Sequence, residues 1–356
     1  MRRLIGKSRW WWSITATALL IAAGWTSPPL AAWLQQQRTP ALTVPAGWPA
    51  PVYDARDNPI SRAGFALGRR LFYDPQLSKD GTIACASCHQ QFAAFAHFDH
   101  RLSHGLHGAN GTRNAPGLFN LAWQPDFMWD GAVTHLELQP LAPLGNPVEM
   151  GETLDGVLPK LRADAEYRAL FERAFGGAAP GEALIDSQRM LRALSQFMAT
   201  MISSDSRYDR QQAGSERYTD SEARGLTAFR EHCAGCHREP LFTDHAYRSN
   251  GIDGGGDIGR ALITGQARDR GVFRVPSLRN VALTPPYMHD GRFDSLQQVL
   301  QHYRSGITPA ALAAEPELKK AASLSDADAV DLQAFLETLT DESFIHDPRF
   351  AEAAAR

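Results

Sequence analysis

Two short stretches carry the densest reactive side chains of this sequence: Cys85-Ala86-Ser87-Cys88-His89 and Cys233-Ala234-Gly235-Cys236-His237. Each sets two thiols three positions apart and follows them with an imidazole. That order suits covalent attachment of a c-type haem: both thiols add to vinyl groups, and the next residue brings a ring nitrogen to the iron. The rival readings are a redox disulfide, which needs no histidine after each pair, and a four-cysteine zinc site, which usually serves small intracellular modules. All four cysteines fall in these two pairs, so neither a disulfide-dense scaffold nor a lone reactive thiol fits. Haem at both places is the expectation, with Cys85, Cys88, Cys233 and Cys236 bonded to it and His89 and His237 as proximal ligands.

Two attached haems alone would also suit a bare electron carrier, so catalysis has to be read from residues on the open side of an iron. The segment after the first pair supplies Arg113-Asn114-Ala115-Pro116, Met128-Trp129-Asp130-Gly131, Gln139, Pro143 and Asn146-Pro147-Val148-Glu149-Met150. After the second come Ser277-Leu278-Arg279-Asn280 and Pro286-Tyr287-Met288-His289-Asp290-Gly291. With Leu71-Phe72 ahead of the first pair, this ordered set resembles the bacterial di-haem cytochrome c peroxidase family, including the branch typified by MauG, which matures methylamine dehydrogenase. The resemblance runs from about Ser61 to about Thr340.

It implies that Glu149 is the distal acid-base residue of a peroxide-binding first haem, with Gln139 and Pro143 lining the same pocket. The chemistry agrees: peroxide must lose a proton from one oxygen and regain one on the other before its O–O bond breaks heterolytically, and a positioned carboxylate can shuttle it. A glutamine can orient bound oxygen without titrating. Read alone, Glu149 is an exposed carboxylate in a turn after Pro147. The resemblance also makes Trp129 the ring that carries electrons or holes between two haems, where composition alone reads a core residue. It makes Asn114, Thr284 and Pro286 oxygen donors to a calcium ion between the haems, a hard cation suited to oxygen ligands.

In two places the sequence departs from the family's common pattern. Many members cap the first haem with a histidine in the loop before Arg-Asn. An ungapped count back from Arg113 finds Leu106 there, which implies a first haem already open to peroxide, as in the MauG branch. His104 and His107 flank it, and a small loop shift would deliver either to the iron. Otherwise His97, His100, His104 and His107 are expected in a solvated loop. At the second haem, the position that usually holds a methionine ligand holds Tyr303, which donates negative charge and lowers the iron's potential where methionine raises it. The rival reading makes Tyr303 a half-buried helix aromatic. Glu231 and His232 precede the second pair, so the surface tryptophan through which MauG oxidises its protein substrate is absent, and methylamine dehydrogenase does not follow as a substrate. The implied partners are hydrogen peroxide and either a small redox donor, a c-type cytochrome or cupredoxin, or a protein whose side chains are oxidised.

The elements that must hold these residues are helices. Ser61 caps a run whose apolar face includes Phe65, Leu71 and Phe72, with Gly68 three residues before Leu71. Ahead of the second pair, Thr219 and Glu222 form a capping box and Gly225, Ala228 and Phe229 repeat the spacing. Leu191, Leu194, Phe197, Met198 and Met201 recur at helical intervals, as do Tyr167, Leu170, Phe171 and Phe175. Ser325 and Asp328 cap a last helix bearing Leu332, Phe335, Leu336 and Leu339. Strand-like alternation is scarce. The expected class is mainly α: two cytochrome c-like haem domains with long connecting loops, at 59–205 and 206–345, followed by a tail at 346–356. Glycines between Gly251 and Gly259 lack the lysine and spacing of a phosphate cradle and read as a flexible loop.

A basic start (Arg2, Arg3, Lys7, Arg9), an apolar stretch from Trp10 to Trp25 and small residues at Ala31 and Ala32 lay out a secretory signal over 1–32. An uncleaved anchor is the rival, since the stretch is only slightly shorter than the roughly 17–25 residues of a spanning helix. A Pro-rich extended lead-in follows at 33–58. The expected place is the periplasm, with membrane contact only if the leader stays. A net charge of -3 without a clustered Lys/Arg stripe excludes nucleic acid as a partner.

Overall fold

The computed structural model describes residues 40–252 and 255–353. The leader lies outside the described residues, as does the first part of the lead-in. Among the described residues no helix is long and apolar enough to cross a membrane.

Four helices form the frame: α1 (Arg62–Phe72), α2 (Ser187–Ala199), α3 (Asp220–His232) and α4 (Asp326–Glu337). Their starts follow the capping chemistry read from the sequence. The Ser61 hydroxyl accepts from the Gly64 amide at 2.9 Å, and Thr219 and Glu222 exchange hydrogen bonds at 2.7 and 3.3 Å. Ser325 accepts from the Asp328 amide at 3.1 Å. The only strand pair among the described residues is short and antiparallel: β1 (Tyr247–Arg248) against β2 (Phe273–Arg274), with Tyr247 opposite Arg274.

In each half one helix crosses another at a glycine. A Cβ added at Gly68 of α1 would lie 1.9 Å from the Ala193 carbonyl oxygen of α2, and one at Gly225 of α3 would lie 2.0 Å from the Asp331 carbonyl oxygen of α4. Phe197 and Phe335, each four residues further along the partner helix, close the contact on the other side. Only a residue without a side chain permits backbones this close. Around α1 and α2 sits a core containing Phe72, Phe95, Phe171 and Phe197; around α3 and α4 sits another with Phe229, Phe242 and Phe335.

The chain ends interleave the halves. Phe344, Ile345 and Phe350 return to the first core, where the Phe350 carbonyl accepts from the Tyr73 hydroxyl at 2.8 Å. The stretch expected as a tail thus contributes a buried ring, because Phe350 fills space between Phe65 and Phe95. The described part of the lead-in is also tied down: Trp48 packs edge-on to Trp123 at 5.0 Å and under the Arg279 guanidinium at 4.6 Å. Arg279 is wholly buried and neutralised by two 2.8 Å hydrogen bonds to Asp209.

The structure also exposes a repeat beyond the cysteine pairs. Leu118 to Val133 and Leu278 to Phe293 follow the same path: a left-handed asparagine (Asn120, Asn280), a short 3-10 turn, a left-handed methionine (Met128, Met288), then Asp-Gly and a closing bridge. Trp129 and His289 occupy equivalent places in it.

Replacing Gly68 or Gly225 with alanine is expected to lower stability by about 1–3 kcal/mol each through overpacking. Thermal melts followed by helical circular dichroism measure it, and an unchanged midpoint in both variants would contradict the close-crossing account.

Candidate active site

Cys85–Cys88 forms a single helical turn, and His89 leaves it with extended-to-bridge backbone (φ -123°, ψ 87°). The chain then passes through Ala94 and Phe95, both left-handed at φ 50° and 59°. This reversal delivers the Phe95 carbonyl to His89 Nδ1 at 2.7 Å. The second pair repeats the device: Phe242, at φ 56°, presents its carbonyl to His237 Nδ1 at 3.1 Å, and Pro276 offers another at 3.1 Å. A carbonyl can only accept, so Nδ1 carries the proton in each ring and Nε2 keeps its lone pair. Burial pushes the pKa of both imidazoles down, His89 to about 4, with the carbonyl bonds opposing only in part. Each ring is therefore neutral, oriented and able to donate to iron from Nε2, which is the condition for a haem ligand.

Cys233, Cys236 and His237 line one wall of a cavity of about 250 Å³, as swept by the centre of a water molecule. Tyr303 lines it too. It sits in a π-turn, His302–Gly306, that continues the helix Leu296–Gln301, and His302 anchors the turn through Nε2 to the Asn250 carbonyl at 2.9 Å. Such turns re-aim a side chain by one position and recur at functional sites. Burial, helped by the nearby Cys233 and Cys236 sulfurs, raises the Tyr303 pKa. The donor set therefore fits a haem held by two thioethers and His237, with the Tyr303 oxygen as a second candidate ligand. Trp129, Asn114, Thr284 and Pro286 line the same cavity. Trp129 Nε1 donates to the Asn114 carbonyl at 2.8 Å, and the Asn114 amide donates to the His289 carbonyl at 2.8 Å.

At the first pair, Glu149 lies in a tight loop. Its Oε1 accepts from Asn146 Nδ2 at 2.8 Å, its amide donates to the Asn146 carbonyl, and the Met150 amide donates to the Pro143 carbonyl at 3.2 Å. Gln139 is half-buried at the end of the 3-10 turn Leu136–Leu138 and leads through Pro140 into the short helix Leu141–Gly145 that carries Pro143. Burial raises the Glu149 pKa above the usual carboxylate value, with the Asn146 bond working against it. The Gly105 backbone lies against that of Val148 and Glu149, and the adjoining His104 carbonyl meets the Cys88 sulfur at 4.0 Å, which sets the Glu149 loop beside the attachment site.

The neighbouring loop brings Leu106, not a histidine, to this place. Leu106 is buried, its amide donates to the Glu149 carbonyl at 3.0 Å, and its side chain covers Gly151, while His104 and His107 face solvent. His97 departs from the expected solvated loop: only 5% of it is exposed. Its amide donates to the Ala115 carbonyl at 3.2 Å, which folds this end of the loop inward, and its ring leans towards His100 at 6.0 Å.

Some contributors escape sequence reasoning. Asn146 was readable only as part of a motif, yet it holds Glu149. Arg113 bridges Asp130 at 2.6 Å and Asp257 at 2.7 Å, which ties the Trp129 turn to the glycine-rich loop. An arginine beside Asn114 was visible, but its long-range carboxylate was not.

Comparison with known proteins agrees with this geometry. A family model described as di-haem cytochrome c peroxidase matches residues 62–217. The methylamine utilization protein MauG of Methylorubrum extorquens is 35% identical over 319 residues, covering 86% of each chain. The chain belongs to the di-haem cytochrome c peroxidase family. Cytochrome c551 peroxidase of Nitrosomonas europaea is 33% identical over 243 residues, 66% of this chain and 71% of that protein. A solved MauG-like protein associated with microbial copper homeostasis superposes with a TM-score of 0.78 at 36% identity, covering 87% of this chain and 98% of that one. As a member, this chain is an oxidoreductase acting on peroxide, and two haem c groups are its cofactors.

Replacing Cys233 and Cys236 together with serine is expected to lower the covalently bound haem from two per chain to one, measured by pyridine haemochrome. Retention of two would contradict the assignment of this pocket.

Proposed function

We propose that this member of the di-haem peroxidase family reduces hydrogen peroxide at the Cys85–Cys88–His89 pocket, with electrons arriving through the Cys233–Cys236–His237 pocket. The observation that carries this reading is a half-buried, Asn146-anchored carboxylate, Glu149, whose loop packs beside the first attachment site, with an uncapped approach where Leu106 stands. When bound, the first haem supplies the iron at which the O–O bond is cleaved. The residues of the chain manage protons and electrons around it. Asn146 fixes one Glu149 oxygen, so the other is the atom that takes the proton from peroxide and returns it to the departing oxygen. Gln139 orients the bound oxygens without exchanging a proton. Two protons and two electrons are consumed for each peroxide converted to two waters.

Trp129 relays the electrons, held by its indole N–H on the Asn114 carbonyl. His237 and Tyr303 would hold the second iron, where a tyrosine oxygen would favour the oxidised form. Asn114, Thr284 and Pro286, which share the cavity wall with Trp129, would offer oxygens to a calcium ion at this junction. The domain limits proposed are 59–205 for the peroxide-reactive half and 206–345 for the electron-transfer half. The protein is exported to the periplasm by its leader, and its donor is a small c-type cytochrome or cupredoxin.

A second reading has a specific observation in its favour. Tyr303 in place of methionine and Leu106 in place of a capping histidine both point towards the MauG branch, in which oxidising power is turned on side chains of a partner protein. His232 at the position before the second pair is buried and hydrogen-bonded to the Lys320 carbonyl at 2.7 Å, so the exit that MauG uses is not repeated here.

Glu149→Gln is expected to slow peroxide consumption by about 10²–10⁴-fold while both haems stay bound, as stopped-flow mixing measures. The carboxylate accepts a proton only when ionised, and burial raises its pKa. The wild-type rate should therefore fall as pH drops through a value above the ordinary carboxylate range, and the glutamine variant should lose that limb. An unaltered pH profile would remove Glu149 from the mechanism. Steady oxidation of a reduced small cytochrome by peroxide separates the two readings: turnover supports the peroxidase, and failure with every small donor supports the protein-modifying enzyme.

A further inference from the structure

Arg274 is a buried guanidinium with no carboxylate paired to it among the described residues. Only 6% of the residue is exposed, and its Nε has no hydrogen-bond partner among the described residues. Asp126 and Tyr247 act on it only at a distance, and burial drags its pKa down to about 10. The other arginines of this region are paired: Arg113 with Asp130 and Asp257, Arg248 with Asp244 and Glu315, Arg279 with Asp209. A buried cation left unpaired is far costlier than a paired one, so a chain that retains it has an anion to place there.

Its location says which anion. Arg274 lines the cavity that holds Cys233, Cys236 and His237, and the acidic side chains described on its wall are paired elsewhere, Glu315 with Arg248 and Glu317 with Lys320. It is rigid, because β2 pairs with β1 and the Arg274 amide donates to the Trp129 carbonyl at 2.8 Å. Next along this wall, His289 is 2% exposed and stacks on Phe273 at 3.8 Å, and neither of its ring nitrogens has a partner among the described residues. Such a wall of unsatisfied donors calls for acceptors carried by the occupant of the cavity.

We propose that Arg274 binds a propionate carboxylate of the second haem and, through its backbone hydrogen bond to Trp129, fixes that edge of the macrocycle against the relay residue. The pair has an electrical consequence. A bare cation beside Trp129 would oppose removal of an electron from the indole, and the carboxylate cancels it. It also shields the second iron from an uncompensated negative charge. The inference rests on haem occupancy of the second pocket and is independent of how peroxide reacts at the first, since its test needs no turnover.

The test uses the holoprotein with Arg274→Gln and Arg274→Lys, potentiometry of each haem, and resonance Raman spectra of the propionate bending band. In Arg274→Gln the freed carboxylate should stabilise the ferric second haem. At a fixed poise its reduced-to-oxidised ratio should fall on the order of tenfold, with a much smaller change at the first haem. Arg274→Lys should restore most of the midpoint while still shifting the propionate band, because an ammonium cannot reproduce the forked contact. If the glutamine variant fails to assemble, the lysine variant alone decides, and an unshifted band in it overturns the proposal. The proposal also falls if only the first haem responds, or if added salt anions move the midpoint while the band stays put, which would assign the subsite to a free anion.

Discussion

Both haem sites depend on one small interaction: an imidazole Nδ1–H given to the carbonyl of a phenylalanine held in a left-handed conformation. A bulky residue at positive φ costs on the order of 1–3 kcal/mol, so Phe95 and Phe242 stay there only because the surroundings over-determine them. Both rings are wholly buried, Phe95 against Phe72 and Phe344, Phe242 against Tyr208 and Phe229. The hydrophobic cores are thus not separate from the chemistry. They hold the backbone reversal that fixes the tautomer and direction of His89 and His237.

From that constraint the rest of the architecture follows. A glycine crossing in each half brings α1 onto α2 and α3 onto α4, and these helix pairs supply the packing that the two phenylalanines need. The repeated loop from Leu118 and from Leu278 then sets Trp129 and His289 at equivalent places along the cavity wall. Two halves built alike are made to differ in chemistry by a few side chains. In the function proposed, Glu149 and Leu106 would open the first pocket to a proton-coupled reaction, while Tyr303 would close the second with an oxygen. Asn114 joins them by accepting from Trp129 and donating to the backbone of His289.

Charge is placed with equal economy. Arg113, Arg248 and Arg279 meet carboxylates from distant parts of the chain and lock loops together, whereas Arg274 faces the cavity with none among the described residues. Glu149, kept from ionising easily by burial, is the complementary case. On the roles proposed for them, each waits for a group that the chain itself does not supply.

The sequence by itself determined the helical class, the capping residues, the cysteine pairs and the ordered motifs that disclose the family, because covalent attachment and helix initiation depend on neighbours a few positions apart. It also made Glu149, Gln139, Trp129 and Tyr303 visible as candidates. Only the tertiary structure decided which of the flanking residues points inward at Leu106, that His97 is buried, that Phe350 belongs to the first core, and that the Arg274 guanidinium has no carboxylate among the described residues. Those outcomes turn on contacts between segments tens to hundreds of positions apart. No local pattern encodes such distances; they emerge when the chain closes on itself and each buried polar group must find, or be denied, a neighbour.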